Sequence, residues 1–248
     1  MKKMIIIWFL LCGSLFAGTI TIAVAANVSY AIDDLKKAFH ELHPDIKVKT
    51  ILGSSGKLTA QIKHGAPYQL FMSANMQYPE VLYTEKIAVS EPKVYAEGTL
   101  ALFSVKNHDF SKGLGLLKER DIQKIAVANP KTAPYGIAAD EALKNAGLYE
   151  DIKNKFIFGE SISQTVSYAV TAADIGIIAT SSLYSRQMQK YKKNVHWKEI
   201  DPALYTAIKQ GIVILKNAGA NPEVKAFYDF ILSAEAQKIL RQFGYRIP

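Results

Sequence analysis

The stretch Ile51–Asn75, ILGSSGKLTAQIKHGAPYQLFMSAN, carries a strand end, a turn, a helix and a second strand in one run. The β-branched segment Lys47–Leu52 leads into Gly53-Ser54-Ser55-Gly56-Lys57, a helical stretch follows at Leu58–His64, and Leu70-Phe71-Met72 is a short apolar run of the kind a buried strand shows. Strand–helix–strand order of this sort argues for a parallel sheet with helices on its faces. The glycine–serine turn also has the look of a phosphate-cradling loop, but the spacing is wrong for a nucleotide. A P-loop needs four residues between its glycines and a Ser or Thr after the Lys. Here two residues separate Gly53 from Gly56, and Leu58 follows Lys57. Nor is the turn the G-x-S-x-G elbow of a serine hydrolase.

The same alternation continues outward. Thr19–Ala25 is a β-branched strand, and Tyr30–Leu42 places Ile32, Leu35, Phe39 and Leu42 at helical spacing. Tyr78–Glu85 reads as a short helix. Thr99–Val105 is a long strand that opens a second α/β set: a strand at Ile125–Ala128, a helix at Ile137–Ala146 stopped by Gly147, and a buried strand at Asp174–Ala179. Gln210–Leu215 is a further strand, and Glu223–Phe243 reads as one long helix. No Gly/Ser-rich linker separates the sets. The expectation is two α/β lobes joined by two ordered crossings, near Ala96–Thr99 and Tyr205–Ala207, with residues 19–98 plus 207–248 in one lobe and 99–206 in the other.

Four helix starts share a pattern: Asn27-Val28-Ser29, Ser54-Ser55-Gly56, Pro134-Tyr135-Gly136 and Ser161-Ile162-Ser163 each open a helical segment after a probable strand. The free N–H groups and partial positive charge of such ends attract anions. Taken singly, Asn27, Ser54, Ser55 and Ser161 are more simply read as caps of their own helices. Two starts in each half would be collected by a cleft between the halves.

Composition excludes several chemistries. Of 248 residues, 49% are hydrophobic and 21% charged, ordinary for a globular protein with a large core. Lys2 and Lys3, the apolar run Met4–Leu11 and the small residues Gly13, Ser14, Ala17 and Gly18 read as an export signal over residues 1–18, cut near Ala17 or Gly18. The run is shorter than the ~20 residues that span a bilayer. Cys12 is the single cysteine, and Leu11 before it is too large for a lipoprotein signal, so no lipid anchor, disulfide or thiol nucleophile is expected. The net charge of +8 is spread along the chain and lacks an aromatic-plus-basic motif, which argues against nucleic acid. The five histidines show no metal-ligand spacing, and Asp33-Asp34 and Asp140-Glu141 sit early in helices, where they complement the dipole.

On these residues the chain resembles the periplasmic molybdate-binding proteins, the receptors of ABC-type molybdate importers. The segments that carry the likeness are ITIAVAANVSYAIDDL, GSSGKLTAQIKHGAPYQLFMSAN, VANPKTAPYGIAADEAL and AFYDFILSAEAQKILRQFGY, and together they reach across the chain after the signal. The resemblance implies two Rossmann-like lobes with mixed sheets joined by two crossing strands, the type II periplasmic binding protein fold. It implies a tetrahedral oxyanion, molybdate or tungstate, held at Asn27, Ser55, Tyr135 and Ile162, with Ala26 or Ser54 adding a contact. Asn27 and Ser55 would donate from side chain and backbone, Tyr135 and Ile162 mainly from the backbone. Many relatives have Ser in place of Asn27 and a small residue in place of Tyr135. Some donate from a tyrosine where this chain has Ala179. The implied protein is a periplasmic monomer without enzymatic activity, cofactor or direct protein–metal ligand, and its partner is a transmembrane permease with a cytoplasmic ATPase. The alternatives are a receptor for sulfate or another tetrahedral oxyanion, or an exported hydrolase using Ser54 or Ser55.

Overall fold

Residues 18–248 are described by a computed structural model. The export segment, its cleavage point and Cys12 lie outside them, except that Gly18 already opens the first strand and pairs with Ile46. Ten strands divide equally between two sheets. The first holds β1 (Gly18–Ala25), β2 (Ile46–Gly53), β3 (Leu70–Met72), β4 (Lys93–Gly98) and, late in the chain, β10 (Ile208–Ile214), in the order β2-β1-β3-β10-β4. The second holds β5 (Leu100–Phe103), β6 (Ile125–Ala128), β7 (Phe156–Gly159), β8 (Ile175–Ala179) and β9 (Trp197–Glu199), in the order β7-β6-β8-β5-β9. The chain passes from the first sheet to the second through Thr99 and returns before Ile208.

Helices α1 (Ile32–Leu42), α2 (Ser55–Lys63) and α3 (Gln77–Thr84) belong to the first pass. The second contributes α4 (Pro134–Asn145), α5 (Tyr149–Ile152), α6 (Ile162–Thr171) and α7 (Thr180–Leu183). The closing pair is α8 (Pro222–Ile231) and α9 (Ala234–Gln242). The stripe of α1 buries Ile32, Leu35 and Phe39 on the first sheet, each such side chain contributing about 1.5–3 kcal/mol. Phe39 meets Phe227 of α8 edge-on, with ring centroids 5.0 Å apart. Leu42, expected to extend the stripe, is 55% exposed, because α1 ends there and the chain turns at His43. A second core joins Ala25, Ala26 and Ala74 of the first half to Leu100, Val127, Tyr135 and Ile162 of the second, so the halves share buried apolar surface.

Several expectations change. The sheets are mixed, as the family resemblance implies, and not purely parallel: β10 runs antiparallel to β3 and β4, and β5 runs antiparallel to β8 and β9. The sequence pattern gives β4 only as a crossing near Ala96–Thr99, β7 only as a strand somewhere before Ser161, and β9 not at all. All three lie at sheet edges, where the apolar pattern is weakest. The long closing helix is two, since Ser233 caps α9 by accepting from the Ala236 N–H at 3.3 Å. The helix expected at Tyr30 begins instead at Ile32, after a 3-10 turn over Ala26–Tyr30.

Candidate functional site

The register of the strands sets the site. Parallel β1 and β2 end side by side at Ala25 and Gly53, so the 3-10 turn carrying Asn27 and the first turn of α2 leave the sheet together. Parallel β6 and β7 end side by side at Ala128 and Gly159, and α4 and α6 follow them. Ligands of open α/β sheets sit beyond such carboxyl ends.

Contacts between the halves bring the four starts together. The Gly56 N–H in α2 donates to the Thr132 carbonyl, just before α4, at 2.9 Å. Lys57 pairs with Glu160, just before α6. The Ser181 hydroxyl of α7 donates to the Asn27 carbonyl at 3.3 Å. Asn27 is further linked, through Gln210, to Tyr135 of α4.

Capping does not account for these ends. No side chain caps the 3-10 turn at Asn27, α2 or α4. Only Ser161 does what a cap does, accepting from the Gln164 N–H at 3.3 Å. The first N–H groups of a helix have no acceptor within it, so Asn27, Ser55, Tyr135 and Ile162 all present peptide donors of this kind. All four residues are buried, between 0% and 4% exposed, where an unmatched polar group is costly. Ala26, at the start of its 3-10 turn, and Ser54, at the N-cap position of α2, are buried beside them.

The side chains behave less uniformly than expected. Both carboxamide hydrogens of Asn27 are committed inside the protein, to Gln210 Oε1 at 2.9 Å and Tyr245 Oη at 3.1 Å. The expected donation from this side chain to a ligand is therefore not open, and the residue offers its peptide N–H. Ser55 Oγ accepts from the Ala74 N–H at 2.9 Å, which leaves its own proton free to donate. Ser54 Oγ and Asn27 Oδ1 are buried with no partner among the described residues. Such orphans call for a ligand or an ordered water. A serine hydroxyl suits an anion because it can donate; Asn27 Oδ1 can only accept.

Electrostatically the site is neutral. Among the described residues no charged side chain is buried, and no group of three or more His, Cys, Asp or Glu could hold a metal. The nearby phenols stay protonated: burial pushes Tyr245 up to about 12, against the effect of its bonds to Ser181 and Asn27. Burial, then the neighbouring Tyr245, holds Tyr135 and Tyr95 well above the ordinary phenol range as well.

Gln210 and Tyr245 went unnoticed as site residues. Gln210 had a signal, a carboxamide opening the otherwise apolar run QGIVIL. Tyr245 had none, because its role rests on a contact 218 residues away in sequence. At Ala179 no hydroxyl is present; the adjacent Thr180 hydroxyl donates to the Thr99 carbonyl at 3.1 Å, and the Ser181 hydroxyl to the Asn27 carbonyl.

Residues 20–246 match the family model of the bacterial extracellular solute-binding proteins. The chain is 34% identical over 231 residues to the molybdate-binding protein ModA of Rhodobacter capsulatus, covering 92% of this chain and 88% of that protein. It is equally similar to ModA of Azotobacter vinelandii, with 92% and 90% covered. The solved periplasmic molybdate-binding protein of Azotobacter vinelandii superposes with a TM-score of 0.85 at 27% identity, over 92% of this chain and 99% of that one.

Proposed function

The chain belongs to the bacterial extracellular solute-binding proteins, and from that premise we propose that it captures molybdate or tungstate between its halves for delivery to a membrane permease. Residues 19–98 with 207–248, and residues 99–206, act as two lobes that close on the ion, and the closed form is what a permease with a cytoplasmic ATPase reads. The protein works in the periplasm as a monomer, needs no cofactor and carries out no reaction. No helix among the described residues is long and apolar enough to cross a membrane.

One observation carries this reading: uncapped, buried helix starts from both halves are held together by direct contacts, one of them carries a partnerless Ser54 hydroxyl, and among the described residues no charged side chain is buried. Neutral donors of this kind can hold a dianion. Each charge-assisted bond contributes roughly 1.5–3 kcal/mol, so several reach the roughly 8 kcal/mol of a micromolar complex. The donor set proposed here is the peptide N–H groups of Asn27, Ser55, Tyr135 and Ile162 with the Ser55 hydroxyl, and Ser54 or Ala26 adding a contact. Donors favour a fully deprotonated oxyanion over hydrogen phosphate. Sulfate has the charge but shorter bonds, so in a cavity sized for molybdate some donors would miss its oxygens. Tungstate is nearly the size of molybdate and should fit equally.

The hydrolase reading lacks a base. Neither Ser54 nor Ser55 is hydrogen-bonded to a His, Asp, Glu or Lys side chain among the described residues.

The test is native mass spectrometry after exposure to mixed molybdate, tungstate, sulfate and phosphate, followed by titration calorimetry of Ser55→Ala. Retention of molybdate or tungstate, with affinity at least about tenfold weaker in the variant, is the expected result. Equal retention of sulfate, or of nothing, defeats the assignment.

A further inference from the structure

Gln210 is fully buried in β10, among Ile208, Ile212 and Val213. An apolar residue would pack there without the desolvation a carboxamide suffers. The pairing of β10 with β4 shifts register between Gln210 and Gly211, a local irregularity that re-aims a side chain. Both ends of the carboxamide are used. Oε1 accepts from Asn27 Nδ2 at 2.9 Å, and Nε2 donates to Tyr135 Oη at 3.1 Å. Asn27 follows β1 of the first sheet; Tyr135 lies in the first turn of α4, which follows β6 of the second. Gly98, where the chain leaves the first sheet, makes the room: a β-carbon there would collide with Tyr135 Oη and stand 2.8 Å from Gln210 Nε2.

We propose that Gln210 is a positioning residue of the anion site, its carboxamide locking the Asn27 turn of one half to the Tyr135 helix start of the other. This rests on the oxyanion reading of that site. Gln210 is engaged at both ends, its Oε1 by Asn27 and one Nε2 hydrogen by Tyr135. Its action passes through the backbone: the same two residues that it ties by their side chains present their peptide N–H groups to the cleft. Rotation of one half against the other changes the Gln210–Tyr135 separation, so the bridge and the donor geometry are made together. The polarity of the bridge is also fixed. Asn27 donates into it and Tyr135 accepts from it, which holds the Asn27 hydrogens on protein partners and leaves its peptide N–H as the ligand donor.

The test uses molybdate as the probe, with calorimetric titrations between about pH 5.5 and pH 8.5, a range within which a buried Glu can titrate, and melting of the ligand-free protein in parallel. Tyr135→Phe keeps the peptide N–H and removes only the acceptor of Gln210; Gln210→Leu removes the whole bridge. Both should lose about tenfold or more in affinity. Gln210→Glu separates positioning from stability. Protonated, the carboxyl repeats the native pattern, its O–H donating to Tyr135 and its carbonyl accepting from Asn27. Ionised, it places a negative charge near a dianion. Its affinity should therefore approach wild type at the acid end and fall by about a hundredfold or more at the alkaline end, while the wild type stays flat. A purely structural Gln210 would shift melting without giving this slope. Folded Gln210→Leu and Tyr135→Phe proteins that bind within about twofold of wild type, or a Gln210→Glu profile parallel to wild type, overturn the proposal. If Gln210→Leu does not fold, the Gln210→Glu profile decides. A wild type that binds no oxyanion at any pH overturns the functional reading, and this one with it.

Discussion

Gly56 follows a strand of the first sheet and Thr132 a strand of the second, and the N–H of the first donates to the carbonyl of the second at 2.9 Å. A β-carbon on Gly56 would lie 3.0 Å from that carbonyl oxygen, 3.1 Å from Thr132 Cα and 2.8 Å from Tyr78 Oη. The phenol can swing away; relief at Thr132 needs its backbone, in the turn before α4, to withdraw from Gly56. Gly56→Ala should therefore bind molybdate at least about tenfold more weakly. Scattering should show no contraction on adding the ion. The helix itself loses nothing, because Ala is the better helix former by about 1 kcal/mol. Wild-type affinity in this variant would show that the contact is not part of closure.

Lys57 and Glu160 also join a segment after the first sheet to one after the second, yet their side chains are 51% and 55% exposed. Water screens such pairs, which contribute about 0–1 kcal/mol. Lys57→Ala should change affinity by less than about fivefold, and the difference should shrink in high salt. Comparing it with Gly56→Ala by calorimetry ranks steric fit above surface charge. The opposite ranking would mean that closure is governed by the ion pair.

Ser54 offers a test in which stability and binding move in opposite senses. Its hydroxyl is buried without a partner, a state that costs about 1–3 kcal/mol. Ser54→Ala relieves that cost in the ligand-free protein, whose melting temperature should hold or rise. The same change should reduce the further rise that molybdate produces, since that increment follows affinity. A variant whose ligand-induced increment is unchanged excludes Ser54 from the site.

Tyr245 predicts an alkaline limb. Its folded value of about 12 lies above the ordinary 10, so folding favours the protonated phenol. That contribution is complete below pH 10 and disappears as pH climbs through 12. Tyr135 and Tyr95 shift in the same direction. Urea midpoints should be level from neutrality to about pH 9.5 and fall above pH 10. Tyr245→Phe should flatten part of that fall, yet be less stable at neutral pH, because the Asn27 carbonyl and one carboxamide hydrogen lose their partner. A midpoint unchanged up to pH 12 would contradict the burial of these phenols.

What could be read in the sequence was local. Leu70–Met72 and Ile125–Ala128 are uninterrupted apolar runs in central strands, and the structure places them within the same bounds. The four helix starts were legible because strand, turn and helical stripe follow one another within a few residues. Of the edge strands β2 was legible and β9 was not: Trp197–Glu199 has three residues, and its pairing with β5 depends on residues far away in the chain. The break at Ser233 was legible in principle, since Ser before a helical turn is a cap signal, but the apolar stripe continues across it. The buried polar links among Asn27, Gln210, Tyr135 and Tyr245 join residues from four parts of the chain, and no periodicity encodes such a meeting.

The Tyr245 hydroxyl grips the Asn27 carbonyl at 2.8 Å across 218 residues of sequence. A polypeptide made from its amino end presents Asn27 early and waits for Tyr245. Until that phenol arrives, the turn holding Asn27 lacks the partner that steadies both its carbonyl and its carboxamide. The turn near one end of the sequence is therefore completed only by a residue near the other, so removal of the last few residues would loosen it.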